Sequence, residues 1–194
     1  SCGVLSESIT LPGDLNSDGT CVTIGANDII LDCNNKKITY GKGPSNNVYG
    51  VNINKFNNTI VKNCNIIKAN SNTINTVGIF LNLSKDNNIT NNNIITNGSD
   101  NFGIFILNSS NNSVSYNIIN VSNFLDSNGI YLQSYAYDNN IKYNTIETYG
   151  ESGTAIRMWD NVYGNNISYN RLKTFQIYAF GFDVGSNIYN NTFS

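Results

Sequence analysis

The 194-residue chain repeats itself about every 25 residues, and a period of that length restricts it to an array of short supersecondary units. Five segments share one spacing: an apolar residue, two polar residues, Asn, any residue, then an apolar one. They run from Ile89 through Asn92 to Ile94, Val114 through Asn117 to Ile119, Ile141 through Asn144 to Ile146, Ile167 through Asn170 to Leu172, and Ile188 through Asn191 to Phe193. Two earlier segments fit when Cys takes the Asn place. These are Val61 through Cys64 to Ile66 and, with a longer polar insert, Ile30 through Cys33 to Ile38. Together the copies predict seven turns.

A second segment precedes each of these from the second turn on, a small residue followed by period-2 apolar alternation. It begins at Gly50, Gly78, Gly103, Gly129, Ala155 and Ala179, with starts 28, 25, 26, 26 and 24 residues apart. β-Branched and aromatic residues fill these runs and helical spacing is absent, so they read as strands. Strands recurring in one order every 25 residues or so coil, each turn stacking on the last at roughly 4.8 Å. The expected fold is an all-β right-handed parallel β-helix, right-handed because parallel crossovers almost always are. Residues 1–20 are expected as an N-terminal cap and 21–194 as the β-helix, one domain overall. The inward columns are predicted as Val51, Ile79, Ile104, Ile130, Ile156 and Phe180, and beside them Ile53, Leu81, Ile106, Leu132, Met158 and Phe182.

An inward Asn at a corner bonds its amide to the Asn above and below and to backbone groups the strands leave unpaired. Asn92, Asn117, Asn144, Asn170 and Asn191 are therefore expected to form one asparagine ladder with a structural role. Cys33 and Cys64 fall in the same column one turn apart, within disulfide reach. Cys2 and Cys21 then pair by elimination, tying the N-terminal segment to the first turn. Buried free thiols are the alternative for each pair.

Composition narrows the function. The formal charge is −2 with 12% charged residues, which argues against nucleic acid. No apolar run approaches the roughly 20 residues of a membrane span. There is no His, which removes the commonest metal ligand and general base, and Cys-x-x-Cys is absent, so neither metal nor cofactor is expected. The chain holds 40 Asn, an enrichment for which codon bias in an AT-rich genome is the bland reading, but bias cannot place residues in register.

The repeats, typified by the run NNITNNNIITNG, resemble the right-handed parallel β-helix repeat family of the pectin-lyase-like superfamily, over essentially residues 21–194. The opening CVTIGANDIILDCNN resembles the first turns of archaeal and bacterial surface proteins of this class, entered through a Cys-containing cap. The resemblance implies polysaccharide lyases, hydrolases and uronan epimerases as well as adhesins and surface-layer components. Lyases of this fold imply clustered carboxylates with a basic residue, and glycosidases two facing carboxylates. This chain has 10 Asp and 3 Glu, mostly isolated, and lacks the Asp-Pro-His-Asp and Gly-His-Gly signatures. The best residual cluster is Arg157, Asp160 and Asp183, with Arg171 on a neighbouring strand, read first as a diagonal surface ion pair between Arg157 and Asp183. No catalytic residue is assigned, and the chain is read as non-enzymatic.

Beside the core columns runs an outward one, Asn52, Phe80, Phe105, Tyr131, Arg157 and Gly181. Phe80, Phe105, Tyr131, Arg157 and Trp159 form the candidate contact surface, for protein or for sugar rings, and Tyr116, Tyr143 and Tyr169 a second outward stack. The alternative for both is plain cross-rung stacking. Sequons place candidate N-glycosylation at Asn57, Asn82, Asn88, Asn97, Asn108, Asn111, Asn120, Asn166 and Asn190. Chance supplies roughly seven of that pattern at this composition. The start at Ser1 without Met suits a mature product after signal removal, and the stop after a ladder segment is expected to leave an end that another subunit covers or that was cut from a longer protein. The leading expectation is an extracellular structural protein of an archaeal or bacterial surface, self-assembling through coil ends or aromatic faces into a filament or layer. A glycan-binding adhesin module is the first alternative and a polysaccharide lyase or hydrolase the second. Partners are expected to be further copies of the chain, with cell-surface glycans behind them.

Overall fold

The computed structural model describes residues 1–70, 72–122, 127–176 and 178–194, and all regular structure in them is strand. Each coil but the last contributes one strand to each of three parallel sheets. Sheet A holds Gly3–Leu5 (β1), Val22–Ile24 (β4), Tyr49–Asn54 (β7), Val77–Asn82 (β10), Phe102–Leu107 (β13), Asn128–Gln133 (β16), Thr154–Trp159 (β19) and Phe180–Val184 (β23). Sheet B holds Ile9–Thr10 (β2), Ile30–Asp32 (β5), Ile60–Lys62 (β8), Asn88–Thr90 (β11), Ser113–Ser115 (β14), Asn140–Lys142 (β17), Asn166–Ser168 (β21) and Thr192–Phe193 (β25). Sheet C holds Leu15–Asn16 (β3), Lys37–Tyr40 (β6), Asn65–Lys68 (β9), Asn93–Asn97 (β12), Ile118–Ser122 (β15), Thr145–Thr148 (β18) and Arg171–Thr174 (β22). Val162–Tyr163 (β20) and Ile188–Tyr189 (β24) add a small fourth ladder at the corner between sheets A and B. With eight, eight and seven strands in the three sheets, the chain is a right-handed parallel β-helix of between seven and eight coils. Residues 1–20, expected as a cap, carry β1, β2 and β3, which open all three sheets as a first coil.

Alternation decides what lies inside. In sheet A, Val51, Ile79, Ile104, Ile130 and Ile156 stack in register, and Ile53, Leu81, Ile106, Leu132 and Met158 stack beside them, all fully buried. Sheet B adds Leu31, Val61, Ile89, Val114 and Ile141, and sheet C adds Ile38, Ile66, Ile94, Ile119 and Ile146. Each such side chain contributes about 1.5–3 kcal/mol of apolar burial. The last coil departs from the expected register. Phe182, not Phe180, follows Ile156, and Val184 follows Met158. The outward partner of Arg157 is therefore Asp183, not Gly181. The alternation from Ala179 to Phe182 looks the same after a slip of two residues, so periodicity cannot fix it.

The small residue that opens each sheet A run sits where sheet C approaches. A Cβ on Gly78 would lie 2.5 Å from Cγ2 of Ile94 and 2.6 Å from the carbonyl oxygen of Gly103.

Two asparagine ladders run through the coil. At the corner between sheets B and C, the Nδ2 of Asn92, Asn117 and Asn144 each donate to the Oδ1 of the next member, ending at Asn170, all at 3.0 Å. Each Oδ1 also accepts the backbone N–H of the member below it, so one amide ties together two coils twice. At the corner between sheets A and B, Asn87, Asn112, Asn139, Asn165 and Asn191 form a second ladder with the same geometry. Asn191 thus belongs to this second ladder and not, as expected, to the first. The two ladders lie five residues apart in each coil and share the same local pattern, so a repeat search merges them.

Below the first ladder, cysteine takes over. Cys64 donates its N–H to Oδ1 of Asn92 at 3.0 Å and is bonded to Cys33, with Cα atoms 4.7 Å apart. Cys2 is bonded to Cys21, Cα atoms 4.6 Å apart. Two disulfides place the folded chain in an oxidising compartment, extracellular or periplasmic. Among the described residues no helix is long and apolar enough to cross a membrane.

One buried cation holds the corner between sheets C and A. Lys68 is 2% exposed, and its Nζ donates to the carbonyl oxygens of Thr73 at 2.7 Å and Asn97 at 2.6 Å and to Oδ1 of Asn101 at 3.3 Å. Burial lowers its pKa to about 8.

Candidate contact surface

The outward face of sheet A carries two columns. The first runs Asn52, Phe80, Phe105, Tyr131, Arg157 and Asp183, and the second Asn54, Asn82, Leu107, Gln133 and Trp159. Every sequence-predicted contact residue lies on this face. Phe105 stacks on Tyr131 with ring centroids 5.0 Å apart and planes 11° apart, and Phe80 tilts on Phe105 at 5.3 Å. Two rings not singled out in the sequence join them. Tyr49 stacks on Phe80 at 4.9 Å, and Phe102 lies 5.2 Å from Phe105 and 5.3 Å from Tyr131. They open their strands on the same side as the outward column because the in–out alternation breaks at the small residue, which is buried together with the inward residue after it, as at Gly50–Val51, Gly78–Ile79 and Gly103–Ile104. Desolvation by its neighbours raises the Tyr49 phenol above its ordinary pKa.

The guanidinium of Arg157 closes the stripe at its charged end. It lies 5.6 Å from the Tyr131 ring centroid and 5.0 Å from that of Trp159, and pairs with Asp183 at 3.2 Å. Gly185 also lies against Trp159, since a Cβ there would meet its Cε3 at 2.2 Å. The residual catalytic cluster is not assembled. Asp160 turns to the hydroxyl of Ser134 and the amide of Asn161, and Arg171 opens β22 on sheet C rather than standing beside Arg157. Among the described residues no three His, Cys, Asp or Glu groups converge on a metal position.

At the N-terminal part of the stripe a groove of about 210 Å³ is lined by Tyr49, Val77, Phe80, Phe102 and Phe105, with Asn47 and Asn75 at its rim. Its walls are rings that already stack on one another, so it offers edges and amides more than open ring faces.

Further aromatic columns follow the corners. Tyr116, Tyr143 and Tyr169 stack at 5.1 and 5.2 Å between sheets B and C, Tyr137, Tyr163 and Tyr189 at 5.0 and 4.9 Å between A and B, and Tyr149 on Phe175 at 4.5 Å between C and A. The first of these was legible in the sequence; the other two were not, because their residues fall in corners outside both strand patterns. Near the last pair, Glu147 accepts from the Tyr149 hydroxyl at 2.7 Å and from Lys173 at 3.0 Å, and these bonds hold its carboxyl below the ordinary range.

Of the sequon asparagines, Asn108, Asn111 and Asn190 occupy left-handed corner positions, and Asn111 and Asn190 are exposed. The amide of Asn111 is already engaged by Asp86. Asn57, Asn82, Asn88, Asn97, Asn120 and Asn166 are partly buried, with Asn82 donating to Asn54 at 3.1 Å and Asn57 accepting from the N–H of Lys85 at 2.8 Å.

No family model and no curated protein matches this chain. Among solved structures, a periplasmic alginate epimerase is similar in fold, with a TM-score of 0.42 and 12% sequence identity over 92% of this chain and 47% of its own. The chain spans about half of that protein. The likeness is one of fold and carries nothing about chemistry.

Proposed function

We propose that this chain is a structural protein of the cell surface whose β-helix packs, through its aromatic faces and coil edges, against further copies of itself in a filament or layer. What supports the reading above all is the way the sheet A rings are arranged. Tyr49 lies face to face with Phe80 and Phe105 with Tyr131, while Phe80 tilts by 40° on Phe105, so the partly exposed Tyr49, Phe80 and Phe105 offer little open ring face, and Tyr131 is only 9% exposed. A strip of ring edges on a flat sheet suits packing against another protein surface, whereas a sugar stacks on an open ring face.

Electron microscopy of the purified protein over a range of concentrations tests this directly. Regular filaments or sheets are expected, and their loss on replacing Phe80 and Phe105 by Ser, with the monomer still folded, identifies the face. Dispersed particles at every concentration overturn the proposal. The amide-rimmed groove beside Tyr49 and Phe102 favours one second reading, a glycan-binding module. Binding on a glycan array that Tyr131→Ala abolishes supports it, and silence on the array removes it.

A further inference from the structure

The surroundings of the Asn101 side chain are one-sided. It is wholly buried, its Oδ1 accepts from three donors, and its Nδ2 has no hydrogen-bond partner. The donors are Nζ of Lys68 at 3.3 Å, the N–H of Thr76 at 3.2 Å and the Thr76 hydroxyl at 2.5 Å. Donors gathered on the oxygen alone polarise the amide, leaving its carbonyl carbon electron-poor while nothing holds its nitrogen. A buried amide with a structural role has its N–H groups paired as well, as Asn92 and Asn112 of the two ladders do.

Lys68 supplies a nucleophile. Its two short bonds run to the backbone, to the carbonyl oxygens of Thr73 at 2.7 Å and Asn97 at 2.6 Å, and the third and longest points at Asn101. A neutral amine keeps two protons, which satisfy the two carbonyls and turn the lone pair toward the Asn101 amide. Burial brings that neutral form within reach by lowering the pKa to about 8. The titratable group paired with Lys68 from the coil below is Tyr40, itself kept neutral by burial. Gly98 leaves the room for the approach. A Cβ there would lie 2.5 Å from both Nζ of Lys68 and Nδ2 of Asn101, so any side chain at this position presses on both nitrogens.

We propose that Lys68 and Asn101 join in an intramolecular isopeptide bond that the chain forms on itself. The lone pair of Nζ adds to Cγ of Asn101, and the charge gathered on Oδ1 is held by the N–H and hydroxyl of Thr76. One Nζ proton passes to Nδ2, the Cγ–Nδ2 bond breaks, and ammonia leaves. Atoms and electrons balance without a co-reactant. The position suits such a bond. Cys2 with Cys21 ties the first coil to the second, and Cys33 with Cys64 the second to the third. Lys68, on β9 of the third coil, is then tied to Asn101, which follows β12 of the fourth. Three successive interfaces carry one covalent tie each. The bond lies within one chain and does not depend on self-assembly.

Intact mass and peptide mapping of the whole chain test the proposal. The reduced protein, after being held folded at about pH 9 where the Lys68 amine is neutral, is expected to be lighter than its sequence by one ammonia. Protein held at about pH 6 should reach that mass more slowly. After digestion with trypsin, peptide 63–85, uncut after Lys68, should be found joined to peptide 86–142. Lys68→Arg keeps a cation in the corner but no nucleophile, and should retain full mass. Thr76→Val removes one donor to Oδ1 and should slow closure roughly a hundredfold while still unfolding cooperatively. An unchanged mass in the parent at pH 9 overturns the proposal. So does closure at the parent's rate in Thr76→Val, or an equal loss of ammonia in Lys68→Arg. Loss of ammonia without the joined peptides overturns it too, and places an imide at Asn97 and Gly98 instead.

Discussion

Just over half of the 40 asparagines fall in one of two settings, and the short amide suits both. Twelve of the described non-glycine residues with positive φ are Asn and five are Asp, because these side chains bond their own backbone and tolerate the left-handed region at corners. Nine others lie inward in the two ladders, where each amide has donors and acceptors above and below it. The two uses account for the register that base composition cannot supply. Asn144 makes the case measurable. Its Oδ1 accepts from both the N–H and the Nδ2 of Asn117, and its Nδ2 donates to Val114, Lys142 and Asn170. Asn144→Leu strands the two donors of Asn117 and three acceptors in a dry corner, and at about 1–3 kcal/mol for each unsatisfied group the net loss should reach about 2–5 kcal/mol. Chemical unfolding of the variant checks it, and an unchanged midpoint would mean the amides are not in the core.

At the scale of strands and corners, what was readable and what was not follows from how much a pattern repeats. The inward columns from Val51 to Ile156 were readable because alternation and spacing agree over five coils. The slip at Phe180 and the second ladder ending at Asn191 were not, because each pattern resembles a shifted copy of itself. Nor was the Lys68 corner. A single Lys in a strand reads as exposed, and only the loop carrying Thr73 and the turn carrying Asn97, folded back over it, show that it is buried. That burial makes stability depend on pH. The folded pKa is lowered to about 8 from an ordinary 10.5, so between those values the unfolded chain binds a proton the folded one lacks. Stability should therefore rise with pH across this window, by up to roughly 3 kcal/mol, and be lost again as pH falls through 8. Tyr40 sets the upper limit. Its buried phenol is pushed well above the ordinary tyrosine value, so ionisation of the unfolded chain above about pH 10 reverses the gain. Urea midpoints of the parent should climb from pH 7.5 to 9.5 while those of Lys68→Met stay level; parallel curves would mean that Lys68 is solvated.

For the whole molecule the governing fact is that every coil touches only its neighbours, so stability is a sum of coil and interface contributions along one axis. The middle coils have a full set of hydrogen-bonded partners on both sides and side chains that are wholly buried, as at Ile79, Leu81, Ile104 and Ile106. Exposure rises along the last coils. Phe175 and Val184 are 50% exposed and Phe180 54%, and β23 pairs with β19 from Phe180 to Val184, with further bonds at the two ends of the ladder from the N–H groups of Phe180 and Gly185 to the carbonyl oxygens of Gly153 and Met158 at 3.0 and 2.8 Å. Little apolar burial opposes the local opening of that coil, whereas opening β10 or β13 breaks two interfaces at once. Amide hydrogen exchange should therefore be fastest beyond residue 175 and slowest in β10, β13 and β16, with the disulfide between Cys33 and Cys64 extending the slow region downward by linking two coils covalently. The same experiment reaches the proposed assembly. If copies pack through the sheet A faces, protection of the slow strands changes little, because their amides already bond within the sheets; if they pack through the last coil, protection beyond residue 175 rises toward that of the middle. Uniform exchange along the chain would instead show one cooperative unit and remove the additive description on which both expectations rest.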